Sequence, residues 1–445
     1  MANKIMNVRE AALEVIQAVE KNQSYSNLLL NHVIETSRLS SPDKGLLTEI
    51  TYGTLQRKYT LDYFLKPFLK KKVESWVQNL LRLSLYQMIY LDKIPDRAVL
   101  FEAVEIAKKR GHRGISGMVN GVLRAVQREG VRSLDLIKDP VERLSIETSH
   151  PLWMVKRWTS QFGFEKTKKM CEANLLAPLQ TARVNLTRTT REEALELLTE
   201  EGYQVQGSVF IPEAIQSLKG NLAHSQAFKN GLITIQDESS MMVAYALNIL
   251  PGQHILDCCA APGGKTAHIA EKLNKTGDVT ALDLHEHKVK LIQENASRLG
   301  LDNINAMALD SRKAGECFKE NSFDRVLVDA PCSGLGVLRR KPDIKYRKSL
   351  EDMEQLQKIQ QEILHQAAKL LKENGLMVYS TCTVDKLENE STVEAFLDKH
   401  EDFELYSLNV PEPIKPFVKQ NMLQIFPQDF GGDGFFIACF RKKGN

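Results

Sequence analysis

The chain has 445 residues, 43% hydrophobic and 26% charged. That composition suits two to four packed domains and excludes a disordered or fibrous chain. The net charge of +3 hides an asymmetry, because residues 1–140 hold 22 Lys and Arg against 15 Asp and Glu while the remainder holds 37 against 41; a basic front suits a polyanionic partner.

The opening MANKIMNVREAALEV turns charged and amphipathic within ten residues, so no secretory leader is expected. No apolar run reaches the length of a membrane span. Seven cysteines include no C-x-x-C pair and no metal-ligand spacing, so no metal is expected, and a reducing, cytoplasmic setting fits them. From Asn7 the apolar residues Val8, Ala11, Ala12, Val15, Ile16 and Val19 recur at helical spacing. Similar patterns predict helices over 26–34, 43–57, 61–68, 74–91, 98–110 and 114–127, with no strand alternation. Residues 1–140 therefore read as an all-helical domain. Its basic residues cluster at Lys70-Lys71-Lys72, at Lys108-Lys109-Arg110 with Arg113, and at Arg124 and Arg128, where each can meet a phosphate or simply face water.

Pro140 and His150-Pro151 mark a boundary, and 141–175 reads as a linker followed by a helix. Trp153, Val155 and Trp158 are expected to pack, and Cys171 to be a small buried hydrophobe. TARVNL (181–186) is strand-like. Thr190 and Glu193 stand at capping-box spacing before a helix over 189–201. Strands are expected over 202–209, around Ile211 and over 233–235, making 176–230 a small α+β segment. No paired-aromatic signature equips it for base stacking, so it is expected to grip backbone or brace its neighbour.

From 231 onward strands alternate with helices, the rhythm of a mostly parallel, doubly wound sheet. The closing FFIACF has no helix after it and suits an added antiparallel strand. ILDCCAAPGGKT (255–266) is a strand, a small-residue loop and a helix start. Gly263 and Gly264 permit close backbone approach, and the helix start offers unpaired N–H groups. Neither phosphate-loop spacing nor G-x-G-x-x-G is present. Taken alone, the stretch also suits an ordinary β-turn-α connection. Downstream, however, Asp257, Asp283, Asp310 and Asp329 each close a strand, so a parallel sheet would line four carboxylates along one edge.

DCCAAPGGKT, ALD with Asp283, DAPCSGLG with Cys332 and STCT with Cys382 resemble the motifs of the RNA cytosine-5 methyltransferases, the Sun family. The resemblance covers the whole chain and is strongest to the RsmB branch, whose members act on bacterial 16S rRNA. It implies an α/β Rossmann-like S-adenosylmethionine-dependent methyltransferase domain (231–445), preceded by an all-α NusB-like RNA-binding domain (1–140), the linker and helix (141–175) and a ferredoxin- or RRM-like segment (176–230). S-adenosyl-L-methionine is the implied cofactor. Its expected contacts are the loop Cys259, Ala260, Ala261, Pro262, Gly263, Gly264 and Lys265, then Asp283 at the ribose, Asp310 at the adenine and Asp329 near the sulfonium; on spacing alone, Lys265 is as well read as a surface residue.

Carbon-5 of cytosine is a poor nucleophile, and a thiolate adding to carbon-6 would activate it. DNA enzymes use the cysteine of a Pro-Cys motif for this, and the RNA enzymes resembling this chain use that of a Thr-Cys motif. The resemblance thus implies Cys382 as nucleophile and Cys332 in product release. Asp329 is expected to orient the base and protonate nitrogen-3, with a pKa raised by desolvation. Ser333 to Asp343 reads as a mobile, basic loop able to clamp RNA beside the pocket. The expected partner is 16S ribosomal RNA, free or in an early small-subunit particle, with no membrane and a monomeric enzyme. Two rival readings are a tRNA cytosine-5 methyltransferase and a NusB-like RNA-binding assembly factor without activity.

Overall fold

The computed structural model describes residues 7–22, 26–37 and 39–444. The opening hexapeptide, on which the reading of the N-terminus partly rests, lies outside the described residues. The chain divides into two compact units, Met1–Ala177 with Leu338–Arg347, and Pro178–Val337 with Lys348–Asn445.

The first unit is built of helices joined by turns and loops, with no strand among its described residues. Its first helix, Val8–Asn22, starts where Asn7 Oδ1 accepts the Arg9 N–H at 2.8 Å. The apolar stripe read from the sequence is buried, with Ala11, Ala12, Val15, Ile16 and Val19 packed with Leu47, Ile50, Leu81 and Leu85 of later helices. Instead of a linker and one helix, residues 140–173 form three: Pro140–Glu147, Leu152–Phe162 and Phe164–Ala173. The reason is local. Asp139 caps Glu142 N–H at 2.7 Å and Pro140 occupies the first turn, so the dipeptide starts a helix rather than breaking one. These helices join the unit through Thr60 Oγ1, which donates to the Ile146 carbonyl at 2.6 Å, and Tyr59 N–H, which donates to Ser149 Oγ at 2.7 Å. Trp158 and Cys171 are fully buried, so both are packing residues.

Leu338–Arg347 is the larger departure from expectation. This stretch belongs to the helical unit. Ser26 Oγ donates to Asp343 at 2.5 Å, and Arg347 donates to the Val19 carbonyl at 2.9 Å. Tyr346 packs edge-on against Tyr59 with ring centroids 5.0 Å apart. Lys345 is fully buried, and its ammonium group donates to the Gln56 carbonyl at 2.9 Å and to Gln56 Oε1 at 3.0 Å. Lys345, two residues beyond the stretch read as a phosphate clamp, is thus spent on an internal partner.

The second unit carries two sheets. The small one comprises β1 (Gln180–Val184), β2 (Gln204–Gly207), β3 (Ala214–Lys219) and β4 (Ile233–Ile235), in the order β2-β3-β1-β4 and antiparallel throughout. The helix Arg191–Glu200 has the expected capping box from Thr190 and Glu193. Ile211 falls in a turn, not a strand, because Pro212 has no N–H to give a ladder.

The large sheet contains β5 (His254–Asp257), β6 (Asp278–Asp283), β7 (Ile304–Ala308), β8 (Phe323–Asp329), β9 (Leu371–Thr381), β10 (Phe403–Leu405), β11 (Val418–Lys419), β12 (Met422–Ile425) and β13 (Phe435–Lys442). The order is β11-β12-β13-β9-β8-β5-β6-β7, with β10 beside β13. Strands β5 to β9 pair in parallel, and β13 adds antiparallel to β9, as the closing FFIACF predicted. Alternation along β13 sends Phe435, Ile437 and Cys439 into one buried layer and Phe436, Ala438 and Phe440 into the other. Both faces are covered, which explains the near-continuous apolar runs.

Burial pushes the Lys345 amine down to about 7. The unfolded chain then binds more protons than the native one between about pH 7 and 10, so stability rises with pH across that window, by at most about 4 kcal/mol. Lys345→Met removes this titration. The melting temperature of wild type relative to Lys345→Met should therefore climb between pH 7 and 10; a difference independent of pH would contradict the buried placement.

Candidate active site

The carboxyl ends of β5, β6, β7, β8 and β9 lie along one edge of the sheet, with β5 between β6 and β8 at the point where strand order reverses. Ligands of open α/β sheets bind outside that point. The loop Cys258–Gly263 leaves β5 there and enters the helix Gly264–Leu273.

Asp257 shapes this loop from beneath. It is buried, and it accepts Thr266 Oγ1 at 2.7 Å and the Cys259 N–H at 3.3 Å. Gly263 has φ +100°, and a side chain there would press on Ile292 Cα at 3.2 Å, so glycine is required. A Cβ on Gly264, by contrast, would meet nothing within 4 Å, which leaves open space over the helix start. Cys258 is buried, and burial pushes both the Cys258 and Cys259 thiols upward.

A further brace was not read from the sequence. Arg183 on β1 is fully buried; it donates to the Gly264 carbonyl at 3.0 Å, to Glu271 at 2.6 and 3.0 Å, and to Gln236 Oε1. The small sheet thereby holds the first turn of the loop's helix. An arginine in the middle of TARVNL, an otherwise apolar strand pattern, was the available signal.

Asp283 ends β6 nearly buried, with Oδ1 accepting the His285 N–H at 3.2 Å and facing Lys288 Nζ at 3.6 Å. Asp310 follows β7, and hydrogen bonds from Arg312 hold its carboxyl below the usual range. Asp329 ends β8. Its Oδ2 receives the Lys265 ammonium at 2.7 Å, and its Oδ1 accepts Ser380 Oγ at 2.7 Å. Burial works against the charge on Lys265, but Asp329 outweighs it and raises the lysine pKa, with Cys382 adding in the same direction. Burial lifts the Asp257 carboxyl to about 7.

The two cysteine motifs meet. The parallel register sets Asp329 opposite Ser380, and the loops beyond bring Cys332 Sγ within 3.3 Å of Cys382 Sγ. Both thiols are half-buried. The Cys382 contact, burial and Glu388 push the Cys332 pKa well up. The Gly336 N–H donates to the Cys382 carbonyl at 2.9 Å, and the Gly434 N–H donates to the Gly336 carbonyl at 2.8 Å. A side chain on Gly336 would overlap the Gly434 carbonyl, so the turn Gly431-Gly432-Asp433-Gly434 reaches this edge.

Comparison with known proteins accounts for the arrangement. Residues 244–441 match the family model described as 16S rRNA methyltransferase RsmB/F, residues 6–128 the NusB family, and residues 150–221 the ferredoxin-like domain of RsmF/B-like methyltransferases. A Bacillus subtilis (strain 168) protein, "Probable ribosomal RNA small subunit methyltransferase B", is 55% identical over 99% of this chain and 100% of its own. The chain belongs to the RsmB/F family of 16S rRNA methyltransferases. An Escherichia coli "Ribosomal RNA small subunit methyltransferase B" is 35% identical over 99% of this chain and 100% of its own length. Among solved structures, PH0851 aligns with TM-score 0.84 at 25% identity over 99% of this chain and all of that one. A methyltransferase homolog protein from Pyrococcus horikoshii aligns with TM-score 0.60 at 28% identity over 69% of this chain and all of that one.

RsmB/F enzymes draw their methyl group from S-adenosylmethionine. The residues present fit that cofactor. The open space over Gly264 admits a ligand, carboxylates stand at the ends of β6 and β8, and the helix start presents backbone N–H groups. Among the described residues no cluster of His, Cys, Asp or Glu is arranged to hold a metal ion, and no helix is long and apolar enough to cross a membrane.

A carboxyl raised to about 7 is tightest for its proton in the native state, so its contribution falls as pH rises from about 4 to 7, by up to about 4 kcal/mol. Asp257→Asn keeps an acceptor for Thr266 and removes the titration. The variant's melting temperature relative to wild type should rise between pH 4.5 and 8; a flat difference would mean that Asp257 is ionised throughout.

Proposed function

We propose that this chain methylates carbon-5 of a cytosine in 16S ribosomal RNA through a covalent adduct with Cys382. The observation that carries the reading is the thiol pair at 3.3 Å, set on the same sheet edge as the Lys265–Asp329 ion pair. One reactive thiol needs no partner thiol at that distance. A reaction that forms and then breaks a sulfur–carbon bond has use for two.

S-adenosylmethionine, when bound, supplies an electrophilic methyl group. The loop Cys259 to Lys265 would line its site, Asp283 would take the ribose hydroxyls, and Asp310 would take the adenine amino group in exchange for part of its contact with Arg312. The target base must leave its stack to reach the thiols. Cys382, which interacts electrostatically with the Lys265 ammonium, adds as the thiolate to carbon-6. Asp329 orients the ring, and with Lys265 it forms a two-residue proton source for nitrogen-3, so the acid need not be a lone desolvated carboxyl. Once carbon-5 carries the methyl group, Cys332 relays its proton: it takes the carbon-5 proton and gives its own to the departing Cys382 sulfur, 3.3 Å away. The double bond re-forms as the carbon–sulfur bond breaks, and nitrogen-3 returns its proton to the Lys265–Asp329 pair.

In the helical unit, Lys108, Lys109 and Arg110 pair with Glu105, Glu10 and Glu14. Lys70, Lys71 and Lys72 are exposed and are the better candidates for RNA phosphate.

The test is methyl transfer from labelled S-adenosylmethionine to small-subunit RNA or its precursor particles. Cys382→Ala should lose both product and any denaturation-resistant protein–RNA band. Cys332→Ala should attack and methylate but accumulate that band. Exchanged phenotypes would reassign the nucleophile.

A further inference from the structure

Behind the thiol pair lies a buried polar cluster without a role in the chemistry so far. Glu388 and Asn389 are adjacent and both fully buried. Glu388 Oε1 accepts the Ser333 N–H at 2.8 Å, and its Oε2 lies 2.5 Å from Ser333 Oγ. Ser333 follows Cys332. Gln360, from the helix Leu350–Leu370, donates to Glu388 Oε1 at 3.1 Å and to the Pro331 carbonyl at 2.9 Å, so the residues on both sides of Cys332 are tied. Asn389 does the same for the other cysteine. Its Oδ1 accepts Thr381 Oγ1 at 2.6 Å and its Nδ2 donates to the Thr383 carbonyl at 3.2 Å. A hydrogen bond between Ser333 Oγ and Thr383 Oγ1 at 2.9 Å joins the two loops. The Tyr379 hydroxyl donates to the Glu388 carbonyl at 2.6 Å and fixes the dipeptide against β9.

A buried carboxyl beside one loop, coupled through the chain to an amide beside the other, is an arrangement for keeping a distance. We propose that Glu388 is a positioning residue that holds Cys332 in register with Cys382, and that product release depends on it. That role rests on the reading of the two cysteines above. The bond that matters is the one to Ser333 N–H, which anchors the backbone next to Cys332. Burial raises the Glu388 pKa, with the Ser333 and Gln360 hydrogen bonds opposing and Asp385 assisting. A carboxyl shifted in that direction is well mimicked by an amide of the same length.

The design separates reach from charge. Glu388→Gln keeps the reach and both kinds of bond. Glu388→Asp keeps the charge but is one methylene short of Ser333. The first readout needs neither RNA nor cofactor: the rate at which diamide, a two-electron oxidant reduced to its hydrazine, joins the Cys332 and Cys382 thiols in a disulfide, followed by peptide mass spectrometry. Wild type and Glu388→Gln should cross-link alike. Glu388→Asp should be slower by roughly tenfold or more, since misplacement on the order of 1 Å costs proximity-driven reactions at least that much. Ser333→Ala, which removes only the hydroxyl contacts, should fall between and serves if Glu388→Asp does not fold. Equal rates in all variants, or a slow Glu388→Gln beside a fast Glu388→Asp, would overturn the proposal.

The second readout is the protein–RNA band during methylation. Glu388→Asp should accumulate it as Cys332→Ala does, and Glu388→Gln should not. Slower cross-linking without accumulation would overturn the link to release. If Cys332→Ala itself traps nothing, the reading of the cysteines fails instead, and the positioning role stands or falls on the cross-linking rates.

Discussion

The site depends on one constraint, the parallel register of β8 against β9. It sets Asp329 beside Ser380, and from that pairing the two loops that carry Cys332 and Cys382 leave the sheet side by side. A slip of one residue would turn every side chain to the other face and separate the thiols. The register is protected on both sides. β13 pairs with β9 over six residues, and β5 covers β8. Apolar layers cover both faces, so the strands that hold the chemistry are among the most buried in the protein.

Around that frame the polar residues divide their work. Lys265, Asp329 and Ser380 form a chain at the mouth of the site, and Asp257, Thr266 and Arg183 hold the loop that borders it. Arg183 comes from the small sheet, which therefore braces the helix that follows the β5 loop. Leu338–Arg347 links the chemistry to the helical unit by covalent continuity: it begins two residues after Gly336, which touches the Cys382 loop, and it is buried among helices.

Much of this was legible in the amino-acid sequence. The four acids at strand ends, the glycines of the β5 loop and the two cysteine motifs are dictated locally, by strand alternation and turn chemistry, and the sheet order then gathers them. What was not legible depends on long-range partners. Lys345 looks like any basic loop residue until Gln56 is seen to enclose it. Glu388 is an ordinary charged residue in sequence, and only burial against distant groups gives it meaning. Pro140 was read as a boundary because a proline starts a helix as readily as it ends one. The ion pair of Asp329 with Lys265 likewise joins residues 64 positions apart, so a desolvated lone carboxyl was the simpler expectation.

The central claim is that Cys382 makes the bond to the base. The most direct measurement uses small-subunit RNA carrying 5-fluorocytosine, whose fluorine blocks release, with unmodified enzyme and S-adenosylmethionine. Mass spectrometry of the nuclease- and protease-treated complex then locates the attached nucleotide. The account predicts a single methylated nucleotide on the peptide containing Cys382. A nucleotide on Cys332, or methylated RNA with no attached protein, would contradict it.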